Sequence, residues 1–185
     1  MNAKVQIQFP EQLIPFYSVA DIISAYSVAS EAATQLRTLA NQISKATAFV
    51  KTFVQENDRA NISAFAELEN LIIISQQLAT SQADTYGLEL KKHQQEPDDH
   101  YNVGDLYDAY SLAYENTSWL ETMFYQAKDE VEVVKEAIKQ NTHGAVFATL
   151  ERLIHIAAYL AESQANTFDI EREKYEMQWE ATTNE

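Results

Sequence analysis

Four histidines and 28 carboxylates are the residues of this 185-residue chain best suited to hold a metal or move a proton. In a helical protein a di-metal centre needs inward-facing glutamates and a Glu-x-x-His motif on each of two facing helices. That spacing is missing. Glu151 and His155 are four apart, and His93, His100 and His143 have no glutamate three residues before them. A lone Glu–His pair one helical turn apart reads as a surface contact. Nucleophilic chemistry has no better footing, because there is no Cys, no Gly-x-Ser-x-Gly, and too few glycines (3) to build a phosphate-cradling loop. The expectation is a non-enzyme with no metal and no cofactor.

Polar and aromatic residues at repeated spacing suggest binding instead. The string Ser-Gln-Ala-(Asp/Asn)-Thr-(Tyr/Phe) occurs at 81–86 and again at 163–168. Gln82 and Gln164 fall on an otherwise apolar seam, where two amides meeting across a pseudo-two-fold axis would fix the register of two near-identical hairpins. With Thr85 and Thr167 the same amides would supply polar hooks for a small-ligand pocket. The register role is preferred. Tyr107, Tyr110 and Tyr114 share one helical face, and Tyr125 continues the row. Together with Asp108, Glu115 and Glu121 they form a candidate partner-binding face, tyrosines giving contact area at little entropic cost and carboxylates complementing a basic partner. The plainer reading places these rings beside the core with their hydroxyls in water, and it fits Tyr110, which has a counterpart in Tyr26.

These residues lie in a sequence written twice. FAELENLIIISQQLATSQADTYGLELKK from Phe65 matches FATLERLIHIAAYLAESQANTFDIEREK from Phe147 at an offset of 82, which puts Ile73 at the position of His155. SAYSVASE from Ser24 matches DAYSLAYE from Asp108 at an offset of 84. The change of two locates a length difference in the loop between the two blocks, where such changes are tolerated. Heptad spacing marks each first helix, with Ile22, Ala29, Leu36, Ile43 and Val50 on one seam and Ala25, Ala32, Leu39, Ala46 and Phe53 on its companion. The second copy gives Leu106, Ala113, Leu120, Ala127 and Val134, with Ala109, Asn116, Met123, Glu130 and Ala137 beside them. Ser18 with Asp21, and Asp105 with Asp108, are the expected helix starts.

The fold class that follows is all-α: an antiparallel four-helix bundle built from a tandem duplicated helical hairpin, with an extended N-terminal arm. The expected divisions are the arm over 1–15, a first hairpin over 16–95, a linker over 96–104, a second hairpin over 105–178 and a tail over 179–185. In the arm, Val5, Ile7 and Phe9 alternate with polar residues at a strand period, so it either lies over the bundle or pairs with a second chain to make a homodimer.

Charge narrows the partners. Residues 1–92 carry nine carboxylates and seven cations, whereas residues 93–185 carry nineteen and six. Direct nucleic-acid binding is unexpected, since phosphate contacts need a basic stripe. No run of about 18 continuous apolar residues and no leader pattern is present, so a cytoplasmic protein without membrane attachment is expected. The functional expectation is an adaptor, inhibitor or immunity-type factor that binds a protein partner, a basic one being favoured by the charge, through the second hairpin. The alternatives are a bundle binding a small ligand at its polar mid-core, or an acidic mimic of nucleic acid, disfavoured because Lys128, Lys135, Lys139, Arg152, Arg172 and Lys174 interrupt the carboxylates.

Overall fold

The computed structural model describes residues 17–58, 62–96, 101–138 and 144–183. The expected arm over 1–15 lies outside them. Helix accounts for 97% of the described residues, in four long helices: α1 (Val19–Asp58), α2 (Ala66–Gln95), α3 (Val103–Ile138) and α4 (Ala148–Thr183). A 3₁₀ turn leads into α2 at Ile62–Phe65 and another into α4 at Gly144–Phe147. The closest packing is within each hairpin, α1 on α2 and α3 on α4; α2 meets α3, α4 meets α1, and α1 touches α3 across the diagonal. A 40-residue α1 spans about 60 Å at 1.5 Å per residue.

The core confirms one seam and moves the other. Ile22, Ala29, Leu36, Ile43, Val50, Leu106, Ala113, Leu120, Ala127 and Val134 are all buried. The companion seam holds through Ala25 and Ala32, and through Ala109 and Asn116, and then shifts by one residue. Ala40, Thr47 and Val54 are buried where Leu39, Ala46 and Phe53 were expected, and Phe124, Val131 and Ile138 replace Met123, Glu130 and Ala137. The cause is geometric: a helix of 3.6 residues per turn drifts about 20° per heptad from a strict 3.5 repeat, so a straight helix changes its inward row after two to three heptads. Phe53 is left exposed on that account.

Both termini also differ from expectation. The start of α3 is capped three residues earlier than Asp105–Asp108: the Asn102 Oδ1 accepts from the amides of Gly104 at 2.7 Å and Asp105 at 3.3 Å, while Asp105 Oδ2 accepts from the Asn102 amide at 2.8 Å. At α1, Asp21 accepts from the amide and hydroxyl of Ser18, which holds its carboxyl below the usual range. Ser18 and Asn102 are 84 apart, so the two caps are copies of one another. At the far end α4 continues through the expected tail to Thr183, and Trp179 lies on it, its ring 5.5 Å from that of Tyr107.

Equivalent residues repeat their contacts in both hairpins. Lys51 bonds Glu69 at 2.7 Å and Lys135 bonds Glu151 at 2.6 Å. Tyr26 stacks on His93 (5.4 Å, 14°) and Tyr110 stacks on Tyr175 (5.6 Å, 11°). Where the hairpins meet, residues contact their own counterparts. The Tyr17 amide donates to the Tyr101 carbonyl at 3.1 Å at the end where α1 and α3 begin, and Phe65 stacks on Phe147 at the opposite end.

Candidate partner-binding surface

The tyrosine row of α3 is turned toward α4. Tyr110 is half-buried between Tyr175, on which it stacks, and Phe168 at 6.5 Å. Burial, with Glu171 and Tyr175 nearby, pushes its hydroxyl pKa up. Tyr107 is half-buried against Trp179, and Arg172 lies over the face of Tyr114 at 5.3 Å from its centroid. Arg172 is held there by Asp169 at 2.7 Å and Glu176 at 3.3 Å. Tyr125 is exposed, and its hydroxyl donates to Glu162 at 2.8 Å. Of the carboxylates placed with the row, Asp108 and Glu115 are exposed, whereas Glu121 is half-buried, its carboxyl pushed up by desolvation and by Glu162. The six residues therefore divide between an internal contact with α4 and open surface.

The aromatic end extends this packing. The Tyr101 and His93 rings meet edge to face at 5.5 Å, with the Tyr101 hydroxyl 2.9 Å from His93 Nδ1; the Tyr17 and Tyr175 rings meet edge to face at 5.6 Å, and the Tyr17 hydroxyl donates to Gln178. Tyr17, Tyr26 and His93 thus correspond by position to Tyr101, Tyr110 and Tyr175. The sequence reading missed this cluster, although the offset of 84 pairs Tyr17 with Tyr101 and the offset of 82 pairs His93 with Tyr175.

The mid-core amides do not meet. Gln82 is buried and donates to the backbone carbonyl of Asn116 on α3 at 2.8 Å; Asn116 donates to the Tyr86 hydroxyl at 2.8 Å, which in turn donates to the Leu112 carbonyl at 3.1 Å. Burial raises the Tyr86 hydroxyl pKa to about 12, against the lowering effect of Asn116. Gln164 instead reaches α1, donating to Gln35 at 3.0 Å. Each glutamine ties its helix to the other hairpin, but through separate partners. Thr85 and Thr167 are exposed, and Thr167 bonds back to Ser163 of its own helix. Gln164 and Thr167 line a groove of about 200 Å³ between α1 and α4, of which Gln82 and Thr85 are not part.

Exposed aromatic and long apolar side chains are unequally shared. The second hairpin exposes Trp119, Tyr125, Tyr159, Ile170, Met177 and Trp179, among others; among the described residues of the first, the exposed large apolar side chains are Val28, Phe49, Phe53, Ile73, Ile74 and Leu88, of which two are aromatic. The helical stretch Gly144–Ala181, which includes the 3₁₀ turn before α4, also contains an 18-residue window of mean hydropathy 1.3 of which 33% is buried, long and apolar enough to meet the length and composition of a membrane span. No group of three or more metal-ligating side chains occurs among the described residues. No protein family, curated protein or solved structure matches this chain.

Proposed function

We propose that this chain is a non-enzymatic, acidic helical interaction protein, an adaptor, inhibitor or immunity-type factor, that engages a protein partner through its second hairpin. The observation that carries the reading is the concentration of exposed aromatics and of negative charge in the same half. Trp119, Tyr125, Tyr159 and Trp179 stand at the surface of a segment with nineteen carboxylates against six cations. Aromatic anchors set in a charged rim are the composition of protein interfaces, the rim steering encounter and the rings supplying most of the affinity. A scaffold with the first hairpin's surface serves the same fold, so this enrichment is not needed for folding.

The test starts from a partner purified from the host by affinity capture and reconstituted with the full chain. Charge reversal at Glu115 and Glu173 should slow association several-fold and weaken its salt dependence, whereas reversal at Glu31 and Glu67 of the first hairpin should not. The opposite pattern would move the interface to the first hairpin.

One observation favours a second reading, a small polar ligand in the α1/α4 groove: Gln164 Oε1 is buried at its edge and accepts no hydrogen bond. Gln164→Leu would abolish such binding and leave partner association unchanged.

A further inference from the structure

Resting on the reading that the second hairpin binds a protein, we propose that its docking site is the outward face of α4, and that its occupant is an amphipathic helix of the partner with lysine or arginine along one edge. Ile156, Tyr159, Ile170 and Met177 are 47%, 72%, 67% and 65% exposed and form a single row down the helix. Ile156, Ser163, Ile170 and Met177 are seven apart, and Tyr159, Asn166 and Glu173 fill the alternate positions. That is the spacing of a seam against which a second helix packs at a shallow angle, over about 30 Å between Ile156 and Met177.

The duplication supplies an internal control. The same positions of α2 are Ile74, Gln77, Leu88 and Gln95, so the second copy alone adds Tyr159 and Met177 to the two apolar residues both copies share. On the edge of this row toward α3, the second copy has Glu162, Asp169 and Glu176 where the first has Thr80, Gly87 and Gln94, and within the row Glu173 replaces Lys91. The bundle holds α2 without these side chains. The α4 face has thus gained apolar anchors and a row of carboxylates together, which fits a ligand that is itself apolar and basic.

Charge decides among occupants. Two cations beside the row are engaged: Lys174 is tied to Glu171 at 2.7 Å and lies over the Tyr175 ring, and Arg172 is tied to Asp169 and Glu176. A second copy of the chain would bring the same acidic edge to the contact, and an anionic membrane would be repelled by it. A helix with basic residues beside its seam satisfies both features.

The test uses the full chain and two labelled helical peptides of about three heptads, each with leucine along one seam and differing in lysine or glutamate along the flanking edge. By fluorescence anisotropy the lysine peptide should bind at least about ten-fold more tightly than the glutamate peptide at low salt, the gap closing as salt is raised. Ile170→Asp with Met177→Asp should weaken it at least about ten-fold while leaving the helical circular dichroism unchanged, and Leu88→Asp on α2 should not weaken it. Equal binding of the two peptides, or undiminished binding by the double variant, would overturn the proposal. So would a wild-type dimer that the double variant abolishes, or binding of phosphatidylglycerol vesicles through these residues. The broader reading fails separately: if the reconstituted partner is unaffected by Ile170→Asp with Met177→Asp but lost on Trp119→Asp, the second hairpin still holds it and only the face is wrong.

Discussion

The ring of Phe65 stacks on that of Phe147, its own counterpart 82 residues later, with centroids 6.5 Å apart and planes within 11° of parallel. Both rings are essentially fully buried and both stand at the last residue of a 3₁₀ turn that delivers the chain into its second helix. The pair therefore closes one end of the bundle by joining the hairpins at their turns.

Truncating either ring should cost about 3–5 kcal/mol, the usual effect of removing a buried aromatic. The double variant Phe65→Ala with Phe147→Ala should cost less than the sum by about 0.5–1.5 kcal/mol, the coupling of an aromatic pair. Urea denaturation of the four proteins measures this, and strict additivity would show that the stack contributes nothing beyond burial.

Asn102→Ala should destabilise the fold by about 1 kcal/mol, because two amides of the first turn of α3 lose their acceptor. Asp108→Ala, which removes the carboxylate expected three residues after an Asp105 cap, should change the melting temperature little. Thermal melts distinguish the two positions directly.

The buried chain from Gln82 to Leu112 gives a third expectation. Tyr86→Phe leaves the Asn116 amide without its acceptor and should cost about 1–3 kcal/mol. Adding Asn116→Ala, which installs the residue found at the equivalent Ala32, should recover part of that loss. A double variant no better than Tyr86→Phe alone would mean that the Tyr86–Leu112 bond carries the stability.

Glu121 and Glu130 have carboxyl pKa values raised first by desolvation and then by Glu162 and Glu67 respectively. A carboxyl whose folded pKa lies above its unfolded value binds its proton more tightly in the native state; it favours folding in acid and opposes it once the pH is above both values. Glu121→Gln and Glu130→Gln should therefore each stabilise the protein at pH 7, by about 0.5 kcal/mol or less because solvent screens both groups. The gain should shrink to nothing below about pH 4, where the wild-type carboxyls are protonated. Calorimetry at the two pH values checks the sign; a gain independent of pH would exclude a charge effect.

Residues that answer to short-range rules were legible in the sequence. Leu36 and Leu120 fall on the buried row because heptad spacing and the offset of 84 agree, and the four-helix architecture follows from the same repeat. Ala40 and Phe124 were not legible, since the inward row changes only as the drift of a straight helix accumulates. Asn102 was readable in principle, as the residue the offset places opposite Ser18. The destinations of Gln82 and Gln164 were not, because each depends on which neighbouring helix lies within reach of an amide. The tyrosine row was found, but its packing against Trp179 required knowing that α4 runs on beyond residue 178, and that against Arg172 which face of α4 meets it.

The contacts between counterparts at the two ends, Tyr17 with Tyr101 and Phe65 with Phe147, bear on whether hairpins pair within one chain or between two. A hairpin from one molecule presents to a hairpin of another the same aromatic stack and the same backbone hydrogen bond that it meets within its own chain. Exchange between molecules would thus rebuild both closures with native contacts. What favours the intramolecular pairing is the covalent connection between Gln95 and Val103, which sets an effective concentration of the order of millimolar for the partner hairpin. Lengthening that connection, or crowding the chain at concentrations near that value, would let swapped dimers compete on nearly equal terms.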